Sequence, residues 1–338
     1  MTIEDRMQYV GNTDQLISVQ EGRLIGGRAD GVRTVHISNG AGLDAVVLPD
    51  RCMDFYQLRV KGSNVNYISP AGVVAPQYYN DRGDLFLRSF SVGFLTTCGL
   101  QNIGSPCSEN GREYGLHGRL SNTPAQQFSC RTVVRDGNLA AVLSGEMNEA
   151  VLFGENLSFR RTITFPYGEN RFFIEDTLVN RGYKKTPFLL LYHFNFGYPM
   201  LDPDTELMLD SLHVEPRTQH AADYLKTWNQ IEEPQDNFDE MCYYHTLKTD
   251  TQGRSSYSVY QPKLDLGARV QFDGEKLDHF CEWKMFGKGE YVLGLEPMNS
   301  HLKGRASGLK ENQVKFIDPR ESITYCAEVS FYSKKGTT

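Results

Sequence analysis

An apolar stretch, Phe188-Leu-Leu-Leu-Tyr-His-Phe-Asn-Phe-Gly-Tyr-Pro-Met-Leu201, is interrupted by one imidazole, His193, and one amide, Asn195. It is shorter than the about 20 apolar residues that span a bilayer, so it predicts a buried β-strand. A buried imidazole without a hydrogen-bond partner costs about 1–3 kcal/mol. His193 therefore has a structural partner or faces a cavity where polar chemistry takes place. Asn195, two residues on, points to the same face of the strand.

The segment before this stretch predicts antiparallel strands. From residue 157 to 165 mainly apolar odd positions alternate with polar even positions, which is typical of a half-buried strand. Residues 166–170 form a turn, residues 171–179 return as a second strand, and Asn180-Arg-Gly182 turns into the apolar stretch. We therefore expect a β-meander whose third strand carries His193.

The rest of the chain is also rich in short strand patterns. Asn39-Gly40 and Gly42 predict a tight hairpin, and one short helix is expected at residues 220–229. Because long helical periodicities are nearly absent, the sequence predicts an all-β fold, a large antiparallel β-sandwich with few short helices. Further strands are predicted at residues 33–38, 44–48, 256–260, 268–272, 282–286, 291–295 and 323–332.

Residues 70–124 are rich in glycine and proline but also carry many aromatic and aliphatic side chains. Long loops in a compact domain bind something or are disordered, and the apolar content argues against disorder. We expect ordered binding loops here.

Composition limits the functional classes. The 338 residues are 40% hydrophobic and 23% charged, which predicts one domain over residues 1–338. No secretory signal or membrane span is apparent, so a soluble, cytoplasmic protein without membrane partners is expected. The seven cysteines form no Cys-x-x-Cys pair, and Cys98, Cys107 and His117 match no common zinc spacing. The net charge of −7 argues against nucleic acid and leaves a neutral or polar small molecule as the expected ligand.

Several polar residues next to glycine or proline are candidates for chemistry. Glu296 precedes proline at a strand end; it either faces water or is buried with a raised pKa as a general base. His117 stands between two glycines, as a ligand contact or as a loop imidazole bonded to a carbonyl. Arg119 and Arg88 suit hydroxyl or phosphate oxygens, or are surface arginines. No nucleophile elbow, P-loop or dinucleotide fingerprint is present, so acid–base chemistry without metal or cofactor is predicted.

Four motifs in order resemble the aldose 1-epimerase (galactose mutarotase-like) superfamily, and its poorly characterised bacterial branch most of all. They are Gly-Leu-His-Gly-Arg119, Leu-Tyr-His-Phe-Asn-Phe196, Gly-Leu-Glu-Pro-Met-Asn299 and Asp318-Pro-Arg-Glu-Ser-Ile-Thr-Tyr325. The charged turn Pro49-Asp-Arg-Cys-Met-Asp54 and the strand segment Glu282-Trp-Lys284 also match, so the resemblance covers nearly the whole chain.

The resemblance implies a β-supersandwich with a sugar-binding cleft on one sheet. It implies that Glu296 takes the proton of the anomeric hydroxyl, that His193 protonates the ring oxygen, and that His117, Arg119 and Arg88 bind the sugar. This mechanism requires an ionised Glu296 and a protonated His193. The aspartate that many members place between the second histidine and the glutamate is not assigned; the candidates are Glu240, Asp250 and Asp265.

Three functions remain open on this scaffold. The first is an isomerase that interconverts the anomers of a sugar or sugar phosphate. The second is a non-catalytic carbohydrate-binding or regulatory protein, since fold does not fix function. The third is another sugar transformation, such as epimerisation at a different carbon or lyase chemistry. The sequence does not indicate an oligomeric state.

Overall fold

The computed structural model describes residues 2–335, which form mainly β-strands. The helices are α1 (Ile3–Met7), α2 (Gln219–Asp223) and α3 (Arg305–Lys310), with some 3-10 turns. None of the helices in the described range is long and apolar enough to cross a bilayer. The strands are β1 Ser18–Arg23, β2 Arg33–Ser38, β3 Leu43–Leu48, β4 Asp54–Val60, β5 Ser63–Asn64, β6 Tyr67–Ile68, β7 Val92–Gly93, β8 Leu95–Leu100, β9 Cys107–Glu109, β10 Arg112–Tyr114, β11 Gln126–Arg135, β12 Asn138–Ala150, β13 Asn156–Pro166, β14 Arg171–Asn180, β15 Thr186–Gly197, β16 Glu206–Leu209, β17 Ser211–Pro216, β18 Met241–Leu247, β19 Arg254–Gln261, β20 Leu266–Asp273, β21 His279–Gly287, β22 Glu290–Met298, β23 Lys315–Ile317 and β24 Ser322–Tyr332.

Two large antiparallel sheets pack face to face. The 12-stranded sheet, called the large sheet below, has the order β1-β2-β3-β4-β8-β15-β22-β21-β18-β17, with β5 beside β4 and β23 beside β15. The 8-stranded sheet, called the small sheet, has the order β11-β12-β13-β14-β24-β20-β19-β16. One apolar core lies between the sheets and draws on both. The predicted all-β antiparallel sandwich with few short helices is therefore confirmed. The prediction of one domain over residues 1–338 extends beyond the described range and stays a prediction.

The predicted strands at residues 157–165 and 171–179 are β13 and β14, but the predicted meander is wrong. β14 pairs with β24, and the chain then crosses to the large sheet, where β15 lies between β8 and β22. The reason is burial: β14 alternates between buried and exposed positions, whereas β15 is buried almost throughout. A strand that is apolar on both sides requires the centre of a sheet whose two faces are covered.

A buried ionic network joins the two sheets beneath β15. The Arg161 guanidinium of β13 donates to both carboxylate oxygens of Asp176 (2.9 and 2.7 Å) and to Asp54 Oδ1 (2.7 Å). It also donates to Thr97 Oγ1 (2.9 Å), and Tyr192 Oη donates to Asp176 Oδ2 (2.7 Å). Burial raises the pKa of Asp54 to about 6, and Arg161 opposes that rise. The network holds the residue next to His193 in place.

The segment expected to form ordered binding loops covers the outer face of the large sheet. Arg51, in the charged turn after β3, organises it: the buried guanidinium donates to the carbonyls of Ser121 (2.9 Å), Val74 (2.7 Å) and Ser89 (2.8 Å). Three distant parts of the loop are thereby tied to one side chain. The segment also contains β8, a fully buried strand that the sequence pattern did not predict.

The helix expected at residues 220–229 is only partly present. α2 ends at Asp223, and a 3-10 turn over Leu225–Thr227 follows. The Lys284 ammonium of β21 donates to the carbonyls of Thr227 (3.4 Å) and Trp228 (2.8 Å), so this turn is tied to the sheet instead of continuing as helix.

Candidate functional site

His193 and Glu296 meet on the outer face of the large sheet, which we call the loop-covered face because Phe86, Phe90 and Ile103, from the loops on either side of β8, pack over it. β15 and β22 are neighbours, with Asn195 opposite Gly294. His193 Nε2 and Glu296 Oε1 are 3.2 Å apart. The two residues are only 3% and 2% exposed. The alternation along two adjacent strands thus brings together groups that are 103 positions apart in the sequence (296 minus 193).

Gly294 makes this approach possible. A Cβ on Gly294 would lie 2.9 Å from His193 Cε1, 2.9 Å from Trp283 Cε3 and 3.2 Å from Glu296 Oε1. Any side chain there would push the imidazole and the carboxyl group apart. The glycine of the Gly-Leu-Glu-Pro-Met-Asn299 motif therefore allows the close contact between His193 and Glu296, because it has no Cβ.

His117 reaches the same place from the covering loop. His117 has a positive φ of 58°, and the next residue, Gly118, also has a positive φ. A Cβ on Gly118 would lie only 2.4 Å from the Gly99 carbonyl oxygen, so only glycine fits there. The Gly104 amide donates to His117 Nδ1 (3.4 Å), which leaves the proton of the neutral ring on Nε2. The His117 and His193 ring centroids are 5.9 Å apart.

Aromatic side chains enclose the two imidazoles. The rings of Phe90 and Trp283 lie 5.4 and 5.3 Å from that of His193, and Phe86 lies 5.4 Å from His117. This apolar enclosure lowers the local dielectric and strengthens every electrostatic interaction within it.

Burial sets the charges of the unliganded site. It lowers the pKa of His193 to about 3, with His117 adding to the effect, and it lowers the pKa of His117 to about 4, with Arg217 adding. Burial also raises the pKa of Glu296 well above its ordinary value, and Arg217 opposes this rise. Burial therefore favours the uncharged form of both members of the pair, in contrast to the ion pair expected from the sequence.

Three buried polar atoms of the site have no hydrogen-bond partner among the described residues: His193 Nδ1, Asn195 Oδ1 and Glu296 Oε2. The Asn195 amide nitrogen donates to the His193 carbonyl (2.8 Å), which fixes the direction of its free oxygen. Unpaired buried polar atoms are costly, so several at one place indicate a ligand site.

Within the described range, neither Arg119 nor Arg88 forms a hydrogen bond or ion pair with His117, His193, Asn195 or Glu296. The Arg119 guanidinium is half-exposed and forms an ion pair with Asp81. Arg88 is exposed, and its backbone carbonyl accepts a hydrogen bond from the Arg28 guanidinium (2.8 Å). The structure thus brings together His117, His193, Asn195 and Glu296 and leaves the two arginines outside. The functional roles of all six residues stay predictions.

Among the three candidates for the additional acidic residue, Glu240 alone contacts the site. Glu240 Oε2 accepts from the Trp283 indole (2.9 Å), and Trp283 packs against His193. Asp250 caps the turn before β19, and Asp265 binds Ser333 and the C-terminal backbone.

Sequence reasoning missed four residues near the pair: Phe90, Arg217, Trp283 and Gly294. Arg217 lies in a polar segment without any motif, and only the pairing of β17 with β18 brings it to this face. Trp283 and Gly294 lie in motifs that were noted, but nothing in those motifs showed which side chains face the glutamate.

Comparison with known proteins identifies the family. Residues 29–331 match the model of a domain of unknown function, DUF4432. No curated protein matches the sequence.

Solved structures give the fold relationship. A protein from Klebsiella pneumoniae provisionally assigned as an aldose 1-epimerase shares 26% identity and a TM-score of 0.90, over 95% of this chain and 86% of that one. A galactose mutarotase-like protein from Clostridium acetobutylicum shares 11% identity (TM-score 0.66; 94% and 99% coverage). Galactose 1-epimerase from Lactobacillus acidophilus shares 12% (TM-score 0.60; 93% and 98%). The chain therefore belongs to the DUF4432 family and, by its fold, to the aldose 1-epimerase (galactose mutarotase-like) superfamily.

Proposed function

We propose that this protein is an isomerase that interconverts the α and β anomers of a sugar or sugar derivative. The observation that carries the proposal is the His193–Glu296 pair, 3.2 Å apart and enclosed on one face of the fold. A general base and a general acid in mutual reach are what ring opening and closure require. Unpartnered polar atoms beside the pair give a sugar hydrogen-bonding positions.

In this proposal the pair carries one proton, and in the unliganded site burial favours its location on Glu296. Hydrogen bonds from sugar hydroxyls favour the carboxylate, so the proton moves to His193 when the sugar binds. Glu296 then removes the proton of the anomeric hydroxyl. The bond from C1 to the ring oxygen breaks, its electron pair goes to that oxygen, and His193 protonates it. Rotation about C1–C2 and reversal of these steps close the other anomer and restore both groups.

His117 and Asn195 serve as binding groups in this proposal. The Nε2–H of neutral His117 is a donor for a sugar oxygen next to His193, and Asn195 Oδ1 accepts from a hydroxyl. Glu240, held by the Trp283 indole, supplies a further acceptor at the site.

The test follows anomer exchange by NMR over a panel of neutral sugars and sugar phosphates. The proposal expects exchange far above the spontaneous rate for at least one sugar, without a new product. Binding measured by calorimetry with no acceleration would instead identify a non-catalytic sugar-binding protein, and a new product would identify another transformation.

The exchange rate should follow a bell-shaped pH profile. The pair holds one proton between the His193 pKa of about 3 and the raised pKa of Glu296. Below the lower pKa both groups are protonated and the base is lost; above the upper pKa neither is protonated and the acid is lost. The two limbs belong to the coupled pair. Polarimetry at each pH, corrected for spontaneous exchange, measures them, and a rate that keeps rising through the alkaline range would contradict the requirement for one proton.

Gly294→Ala should lower the exchange rate about 10- to 100-fold, because a displacement of reacting groups by about 1 Å costs that much. Its methyl group would contact the His193 ring and the Glu296 carboxyl group. Gly287→Ala, in the same sheet, is the matched control, since its Cβ would meet neighbours only at ordinary distances of 3.5 Å or more. Equal rates in the two variants would show that the site does not depend on the close approach at Gly294.

A further inference from the structure

Arg217 is a cation at the edge of the site, and none of the carboxylates in residues 2–335 forms an ion pair with it. It directly follows β17, and its backbone amide donates to the Cys242 carbonyl (2.9 Å). The exposed guanidinium donates to Cys242 Sγ (3.8 Å) and Ser105 Oγ (3.3 Å), and it forms no ion pair with any residue of the described range. Because these two acceptors are weak and uncharged, most N–H groups of the guanidinium and its positive charge remain available to a ligand.

The contacts of Arg217 connect it to both halves of the site. On the strand side, Cys242 lies on the loop-covered face of β18, and Cys281 of the next strand is paired directly with Glu296. On the loop side, Ser105 follows Gly104, the residue whose amide holds the His117 ring. The guanidinium therefore bridges the strand that leads to Glu296 and the loop that carries His117.

Electrostatic effects agree with this placement. The positive charge of Arg217 lowers the pKa of His117 and opposes the rise in the pKa of Glu296. Both effects require the guanidinium to be near the two groups, since Coulomb interactions weaken with distance.

Glu240 and Arg119 are two other charged side chains around the site. Glu240 accepts from Trp283, and Arg119 is paired with Asp81. Because the indole is neutral, Glu240 keeps its negative charge, and Arg217 is the positive charge at the site that no ion pair of the described residues neutralises. It lies in a protein whose net charge of −7 would otherwise repel anions. A guanidinium held in this way matches a carboxylate or a phosphate.

We propose that Arg217 forms an anion-binding subsite, and that the sugar carries a carboxylate or phosphate group remote from the anomeric carbon. The inference builds on the proposed function: Glu296 and His193 act at the anomeric end of the sugar, while Arg217, hydrogen-bonded to β18, two strands from β22, holds the anionic end. Carboxylate and phosphate share the chemistry that Arg217 recognises, and the experiment separates them.

The experiment compares D-glucose, D-glucuronate, its neutral methyl ester and D-glucose 6-phosphate as ligands and substrates of the full chain. Calorimetry gives the affinities and NMR the exchange rates. We expect one of the two anions to bind more tightly than the neutral sugars, and Arg217→Ala to lower its affinity about 10- to 100-fold. Arg217→Lys should restore part of the loss, because the charge remains without the planar fork. Arg131→Ala, at an exposed position of β11, is the matched control and should bind like the wild type.

The readouts separate the failure of this inference from that of the proposed function. Anion binding that is lost in Arg217→Ala supports the subsite even if no sugar is turned over, in which case only the isomerase proposal fails. Exchange of neutral and anionic sugars at equal efficiency, unaffected by Arg217→Ala, would overturn the subsite and leave the isomerase standing. Failure of both anions to bind the folded wild-type protein would also overturn it.

Discussion

Glu296→Gln is expected to lower anomer exchange about 10²- to 10⁴-fold, the usual contribution of a positioned acid or base. The amide has the size of the carboxyl group but cannot take the proton of the anomeric hydroxyl. Because burial already favours the uncharged form of Glu296, a neutral amide should fit the site without a large change in stability. NMR exchange measurements give the rate, and thermal unfolding shows that the fold is intact.

Glu282→Gln provides a matched control on the same sheet. Glu282 Oε2 also lies 3.2 Å from a histidine, His245 Nε2, and both side chains are fully buried. This second pair, however, faces the small sheet, on the opposite side from Glu296. The control should retain the exchange rate in its folded fraction. Undiminished exchange in Glu296→Gln, or equal losses in both variants, would refute the assignment of Glu296 as the base.

Local sequence pattern was sufficient for the fold class. The alternation in β13 and β14 follows from their half-buried positions, and the hairpin from β2 to β3 follows from its glycines. Sheet membership was not predictable in the same way. β15 joins the other sheet because both of its faces are apolar. β8 was not predicted because it is buried on both faces, lacks an alternating pattern and lies within a glycine-rich segment.

The candidate site shows a similar division. His117, His193 and Glu296 carried motifs, and the strand order brings them together. Their charges could not be predicted, because these depend on burial beneath aromatic rings such as Phe90 from a distant loop, which favours the uncharged forms of both groups. Arg217 has no motif at all, and its proximity to the site arises only from strand pairing across the large sheet.

The same dependence on long-range contacts applies to Arg161: the alternating pattern of β13 places it on the core-facing side, but the pattern does not show which carboxylates would pair with its charge. Arg161→Met should lower the free energy of unfolding by about 3–5 kcal/mol, because it leaves Asp54 and Asp176 buried without their cation. Denaturant unfolding measures the loss. Arg160→Met, at the neighbouring position on the opposite face of β13, is the matched control: Arg160 pairs with Glu146 but its side chain is 58% exposed, so its removal should cost less than about 1 kcal/mol.

The loss of unfolding free energy in Arg161→Met should also depend on pH in a defined direction. Arg161 holds down the pKa of Asp54, which burial nevertheless raises to about 6, so its removal raises that pKa further. Compared with the folded wild type, the folded variant then binds more protons between about pH 6, the Asp54 pKa of the wild type, and the higher Asp54 pKa of the variant. Its stability relative to the wild type should therefore improve as the pH falls through this range. A deficit that is the same at every pH would show that lost packing of the Arg161 side chain, and not uncompensated carboxylate charge, destabilises the variant.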